Sequence, residues 1–187
     1  ERHSGVDVKL NTAGTQVLRT QVEQGAPGDV FASADLEHME ALVEGGWVEE
    51  YQVFAYNELV VLIPKGNPAG IQSLQDLAEK PHRLVIGGET APVGRYTREF
   101  LAKAEEQYGE GFAERVMRHV VSHESSTKLI ASKVALGEAD AGIVYYTELT
   151  PEVVEKTIHL PILEGLSVRA EYPIAVLRQA QNPDLAQ

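Results

Sequence analysis

Cysteine is absent from the 187-residue chain, which excludes disulfides, thiolate metal sites and cysteine nucleophiles together. Long apolar runs are absent too. The longest, "LVVLIP" at residues 59 to 64, is far too short to cross a bilayer. Positive charge is scarce: 16 Lys and Arg stand against 28 Asp and Glu, a formal net charge of −12. A sequence-independent grip on nucleic-acid phosphates is therefore not expected. A small anion remains admissible, because oriented N–H groups at contact distance outweigh a screened global charge. No export signal is visible, since Glu1-Arg2-His3-Ser4-Gly5 lacks a basic start and an apolar centre, as a matured or trimmed chain also would. What is present is the balance of an ordinary globular protein, 43% hydrophobic and 24% charged.

Strand and helix patterns alternate along the chain. Val6, Val8 and Leu10 alternate with polar neighbours and predict a strand. Thr15 is the expected N-cap of a helix carrying Leu18 and Val22 and stopped by Gly25 and Pro27. "DVFAS" (29 to 33) reads as a buried strand and "DLEHMEALVEGG" as a helix with Met39, Leu42 and Val43 inward. "NELVVLIP", "RLVIGG", "RVMRHVV", "AGIVYY", "TIHLPIL" and "EYPIAVLR" predict further strands. Between them, Ser73 and Asp76 have the spacing of a capping box, Pro92 suits a first helical turn, and "SSTKLIASKVALG" reads as a capped helix. In the helix after Pro92, Tyr96, Phe100, Leu101, Ala104 and Tyr108 share one face. This alternation predicts an α/β fold built on parallel sheets.

Three strand-to-helix junctions share one composition: Thr12-Ala13-Gly14-Thr15, Glu89-Thr90-Ala91-Pro92-Val93-Gly94 and Glu124-Ser125-Ser126-Thr127-Lys128. At each, free N–H groups and the positive helix end would face one crevice, which is the physical recipe for an oxyanion site. A single junction of this kind is ordinarily just a helix cap. Three in one chain favour a site. His119 and His123 have helical metal-ligand spacing, but on a strand residues four apart lie about 13 Å from each other, too far for one zinc ion. Ser125 to Lys128 matches Ser-x-x-Lys without its companion Ser-Asp-Asn and Lys-Thr-Gly elements. No Gly-x-Ser-x-Gly, Walker A or Gly-x-Gly-x-x-Gly pattern occurs. Carboxylates such as Glu49-Glu50 and Glu105-Glu106 fall on solvated faces.

Several segments together resemble the periplasmic molybdate/tungstate-binding proteins, the substrate-binding subunits of molybdate ABC importers. "QVEQGAPGDVFASAD" carries the resemblance most strongly, followed in family order by "NELVVLIPKGNPAGIQSLQDLA", "APVGRYTREFL", "GEADAGIVYYTE" and "EYPIAVL". The resemblance implies a two-lobed class II periplasmic binding protein fold with a ligand cleft between lobes. Residues 1–55 and 172–187 would form lobe 1 and residues 56–171 lobe 2, with hinge connections at Ala55-Tyr56-Asn57 and Ala170-Glu171-Tyr172. It further implies a periplasmic or extracytoplasmic location, with a lipid anchor as one form of attachment. The partners would be a small oxyanion and the membrane permease of an ABC transporter, with no cofactor, no nucleic acid and no membrane insertion.

The family's ligand positions fall on four residues. Where the family usually has Gly-Ser-Ser-Gly this chain has Ala13-Gly14-Thr15-Gln16, so Thr15 is implied as donor, with Gly14 as the adjacent alternative. Pro92-Val93-Gly94 matches the Pro-Ala-Gly turn and assigns the backbone N–H of Val93. Thr127, with Ser126 beside it, falls at the next helix start. Tyr145 ends the Gly-Ile-Val-Tyr motif and would donate its phenol, Tyr146 facing the other way. The family also opens with a strand, a serine-bearing loop and a helix, of which Glu1 to Gly5 resembles only the end. The chain is therefore expected to bind its anion weakly unless another copy or segment fills the gap, and a tight stoichiometric titration by an isolated monomer would refute this.

Such a donor-only set suits a fully deprotonated dianion, because a protonated oxyanion finds no acceptor for its hydrogen. Sulfate satisfies that condition as well and stands as the alternative ligand. Two readings from other classes also follow from the fold: the effector domain of a transcription regulator, which lacks any basic DNA-binding segment here, and an enzyme, for which Glu89 and Glu124 are the nearest candidate bases.

Overall fold

The computed structural model describes residues 6–186. The elements run α1 (Thr15–Glu23), β1 (Val30–Ala32), α2 (Leu36–Glu44), β2 (Gln52–Asn57), β3 (Leu59–Pro64), α3 (Asp76–Glu79), β4 (Leu84–Gly87), α4 (Pro92–Tyr108), α5 (Phe112–Met117), β5 (Val120–Glu124), α6 (Thr127–Ala135), β6 (Ala141–Tyr145), α7 (Pro151–Lys156), β7 (Thr157–Pro161), β8 (Ala170–Val176) and α8 (Pro183–Ala186). Short 3-10 turns at Tyr146–Glu148 and Glu164–Leu166 flank β7 and the segment before it.

Two sheets with separate cores give the α/β fold its two lobes. The larger sheet has the order β5-β4-β6-β3-β7, the smaller β1-β8-β2. β3 and β6 are buried along nearly their whole length, because helices cover both faces of the larger sheet. This is why "LVVLI" and "AGIVY" are continuous apolar runs rather than alternating ones. Phe100, Leu101 and Ala104 of α4 pack into that core, with Tyr96 and Tyr108 at its margin. The smaller core consists of Val22, Phe31, Met39, Leu42, Val48, Ala175 and Leu177, with Val43 packed at its edge.

The sheets are only partly parallel. β4 runs parallel to β5 and β6, whereas β3 is antiparallel to β6 and β7, and the smaller sheet is antiparallel throughout. The strand-helix alternation concealed this because β2 passes straight into β3, without an intervening helix. Residues 6 to 10 form no strand: Val8 and Leu10 are 73% and 84% exposed. Alternation states which face a strand would bury, but a ladder needs a neighbour, and none pairs with these residues among those described. β1 is an edge strand burying only Phe31, not the buried strand expected. "RVM" belongs to α5 and the strand begins at Val120, since Phe112 and Val116 bury one helical face. β2 and α7 were not anticipated. Ser73 and Asp76 do cap one another, each backbone N–H donating to the other's side chain at 3.3 and 3.0 Å. Glu1 to Gly5, expected as the end of a helix, lie outside the described residues.

The two segments expected as hinges lie side by side. In the β2–β8 ladder Ala55 faces Tyr172, Tyr56 faces Glu171 and Asn57 faces Ala170. Asn57 is buried and donates to Thr147 Oγ1 at 2.8 Å and Tyr172 Oη at 2.7 Å, tying this crossing to the end of β6.

Candidate functional site

The parallel strands β5, β4 and β6 end along one edge of the larger sheet, where the chain turns into α6, α4 and the 3-10 turn after Tyr145. Ligands of open α/β sheets gather at such carboxyl edges. Pro92 opens α4 and has no N–H, while Gly94 and Arg95 donate to the Ala91 carbonyl at 2.9 and 3.2 Å. The Val93 N–H is thus the first-turn donor with no backbone acceptor among the described residues. The first turn of α4 sits directly on the end of β4. A β-carbon on Gly94 would collide with the Gly88 carbonyl oxygen, and one on Gly87 would come within 2.6 Å of Gly94 N.

α6 starts at Thr127, behind Ser126, which occupies the N-cap position without a side-chain cap bond. The expected cap is therefore not made, and the first N–H groups of α6 face outward with the positive helix end. The Thr127 hydroxyl is engaged elsewhere, donating to Glu148 Oε1 at 2.6 Å. A carboxylate thus stands one hydrogen bond behind this junction.

Tyr145 closes β6 with its side chain 4% exposed, and its hydroxyl has no hydrogen-bond partner among the described residues. Its ring meets those of Tyr96 and Tyr172 edge-on, with centroids 6.4 and 5.8 Å away. Burial foremost, then the neighbouring phenols, raises its ionisation far above the ordinary tyrosine value. It therefore remains a neutral donor. Tyr172 is likewise pushed up to about 12, chiefly by burial. Tyr146 is exposed and turns away into the 3-10 helix.

On the side of the smaller sheet, Gly14 rather than Thr15 is the N-cap of α1, and Thr15 is its first helical residue. The Thr15 hydroxyl is buried and accepts the Ala34 N–H at 3.2 Å, because the preceding loop is drawn against residues 33 to 35. Gly14 packs directly on the Ser125 carbonyl oxygen, which also accepts from Gln16 Nε2 at 3.0 Å. His38 Nε2 lies 3.1 Å from the Thr90 carbonyl oxygen. Arg19 approaches His38 Nδ1 at 3.5 Å and can only donate, so Nδ1 accepts and Nε2 carries the proton. Burial foremost holds His38 below the ordinary histidine value. Arg95 of α4 meets Asp35 and lies 2.9 Å from Glu37 at the start of α2.

The first and third of the junctions singled out in the sequence touch at Ser125, and the Gly88 N–H beside the second donates to the Glu124 carbonyl of the third at 2.9 Å. The loop and helix after β1 meet the second at Thr90 and its neighbour Arg95. Gln16, Asp35, His38, Arg95 and Glu148 were missed. Only Asp35 carried a local signal, as an N-cap before "LEHM", since its side chain accepts the His38 N–H. The remaining contacts join residues far apart in sequence.

The other candidates lie elsewhere. His119 precedes β5 and stacks on His82 with centroids 4.6 Å apart, while His123 is exposed on β5. No group of three or more His, Asp or Glu residues is placed to hold a metal ion among the described residues. Glu124 is partly buried, which raises its pKa, yet hydrogen bonds from Lys133 at 2.6 Å and from Ser122 hold it below the ordinary carboxylate range. Glu89 is exposed, 3.8 Å from Arg98. Among the described residues no helix is long and apolar enough to cross a membrane.

The family model for bacterial extracellular solute-binding proteins matches residues 1–187. The molybdate-binding protein ModA of Mycobacterium tuberculosis is 34% identical over 183 residues, covering 97% of this chain and 66% of that protein. The chain thus spans just under two thirds of the length of that relative. Among solved structures, the periplasmic molybdate-binding protein of Azotobacter vinelandii aligns with a TM-score of 0.78 at 20% identity, covering 98% of this chain and 79% of that one. The sulfate-binding protein SubI of Mycobacterium tuberculosis aligns at 0.80 and 18% identity, covering 93% and 66%. At such identities these likenesses speak for the fold alone.

Proposed function

Because the chain belongs to the bacterial extracellular solute-binding protein family, we propose that it captures a molybdate or tungstate dianion between its two lobes and presents it to the permease of an ABC importer. The observation that carries this reading is the Tyr145 phenol, buried and unpartnered at the edge where two uncapped helix starts and the opposing lobe converge. A buried hydroxyl without a partner costs about 1–3 kcal/mol, so it stands where an acceptor would repay it. The proposed donors are the Val93 N–H, the N–H groups at Thr127, the Tyr145 hydroxyl and, from the opposing lobe, the first turn of α1 at Thr15 or Gly14, with Ser126 at the margin. The lobes are assigned as residues 1–55 with 172–187, and 56–171, joined through the paired β2–β8 crossing. The relatives named as molybdate-binding favour that anion, and the location proposed is extracytoplasmic.

Neutral donors can hold a dianion because a closed cleft excludes water and makes each hydrogen bond charge-assisted. The ligand shifts the open–closed balance through its tighter grip on the closed form. A binding role rather than catalysis is favoured by the engagement of Glu124 with Lys133 and the exposure of Glu89. Sulfate is the second reading, supported by the same donor set and by the fold shared with a sulfate-binding protein.

Calorimetry with molybdate, tungstate, sulfate and phosphate tests the proposal. Heat from molybdate and tungstate is expected. Heat from sulfate alone reassigns the ligand, and heat from phosphate alone overturns the donor-only site for a fully deprotonated dianion. No heat from any of the four overturns oxyanion capture by this chain.

A further inference from the structure

Asp35 and Arg95 face each other where the two halves of the molecule meet. Asp35 is the N-cap of α2, with its side chain 4% exposed. Its Oδ1 accepts the His38 N–H at 3.1 Å and lies 3.3 Å from Ser33 Oγ, and its Oδ2 meets the Arg95 guanidinium. Arg95 stands two residues after Val93, in the first turn of α4, with its side chain 27% exposed. Its Nε also lies 2.9 Å from Glu37, a carboxylate 64% exposed.

A carboxylate this buried is tolerated only when it is paired. The other contacts along the same line, Gln16 to Ser125 and His38 to Thr90, join neutral groups and weigh less than a desolvated ion pair that loses one member. We propose that Arg95 is a positioning residue for anion capture, an electrostatic latch that pairs with Asp35 only when the lobes are shut and so sets the balance between open and closed forms. Arg95 rides on the same helical turn as the Val93 N–H. Closing onto the anion and closing the ion pair are therefore one movement, and losing Arg95 strands the Asp35 charge in the shut form. This inference rests on the two-lobe capture proposed above.

The chain has no cysteine, so Glu49→Cys and Glu106→Cys place one spin label on each lobe with no competing site. Both positions are exposed. Pulsed electron paramagnetic resonance then gives the interlobe distance in the otherwise unaltered chain and in Arg95→Gln, Arg95→Lys and Arg95→Gln/Asp35→Asn backgrounds, in buffer and with molybdate. Arg95→Gln is expected to shift the distribution to longer distances and to weaken molybdate binding about tenfold or more, mainly through faster release. Arg95→Lys recovers part of both, and adding Asp35→Asn also recovers part, because no charge is then stranded and asparagine keeps the cap. Unchanged distances in Arg95→Gln overturn the latch. If Arg95→Gln does not fold, Arg95→Lys carries the comparison, a smaller shift supporting the latch and none overturning it. If the unaltered chain binds no molybdate, the capture reading fails, while the distances in buffer still decide the latch.

Discussion

Gly14 and the Ser125 carbonyl oxygen approach so closely that no β-carbon fits between them. This contact joins the start of α1 to the turn before α6, across the proposed cleft. The backbone of Gly14 has negative φ and is unstrained. Lack of space, not backbone conformation, demands glycine there.

Gly14→Ala is therefore expected to prop the lobes apart without unfolding either. Overpacking of this kind costs about 1–3 kcal/mol, and the loss should appear in calorimetric affinity for molybdate while the thermal midpoint in buffer stays nearly unchanged. A drop in midpoint with affinity intact would place the strain inside a lobe instead.

Tyr145→Phe should act with opposite signs on two measurements. Molybdate affinity is expected to fall by about 1–3 kcal/mol through loss of a charge-assisted donor. Stability to urea in buffer should hold or rise, because the buried hydroxyl has no partner to lose among the described residues. Unchanged affinity removes Tyr145 from the site.

Gly94→Ala is expected to destabilise the larger lobe by about 3 kcal/mol or more, since its β-carbon would meet the backbone oxygens of both Gly87 and Gly88. Relief by tilting α4 would move the Val93 N–H. Urea denaturation reads the first effect and molybdate titration the second. An alanine variant matching the unaltered chain in both shows that α4 does not depend on this approach.

Acidification should weaken the fold in two separate windows. His38 and His82 both have pKa values lowered chiefly by burial, so the unfolded chain takes up protons first. Stability is whole above the ordinary histidine value of about 6.5 and falls as pH drops below it, levelling off beneath the folded values. Asp76 and Asp140 are held low, Asp76 first by the Gln72 N–H and Asp140 first by Arg83. Their contribution is present above the ordinary aspartate value and is lost at lower pH, on passing through the folded one. Urea midpoints measured from pH 8 to pH 3 should show both steps, and His38→Gln together with His82→Gln should flatten the first. A midpoint flat between pH 7 and pH 5 would show that these histidines pay no burial penalty.

Much of the larger lobe was legible because its signals are local. The continuous runs in β3 and β6, Pro92 at the start of α4 and the reciprocal pair Ser73–Asp76 each act within a few residues. The smaller lobe was read less well. The alternation of Val6, Val8 and Leu10 is a strand pattern, but pairing depends on a neighbour that a periodicity does not contain. β2 was overlooked because its outward side chains, Phe54 and Tyr56 among them, blur the contrast between faces that marks a strand. The candidate site followed the same division. Junction chemistry pointed to helix starts, whereas Gln16, His38 and Arg95 are ordinary surface-type residues until the chain folds.

The sequence by itself determined the element types over most of the chain, the lack of thiol chemistry and the three hydroxyl- and glycine-rich junctions, since each depends on residue type and short-range spacing. Only the tertiary structure decided that these junctions face one another, that the Thr127 hydroxyl is turned to Glu148, that Tyr145 is left with an unpartnered phenol, and that Asp35 meets Arg95. Those relations are set by strand order and by two chain crossings paired at β2 and β8. Contacts between residues dozens of positions apart leave no periodic trace in the chain that makes them.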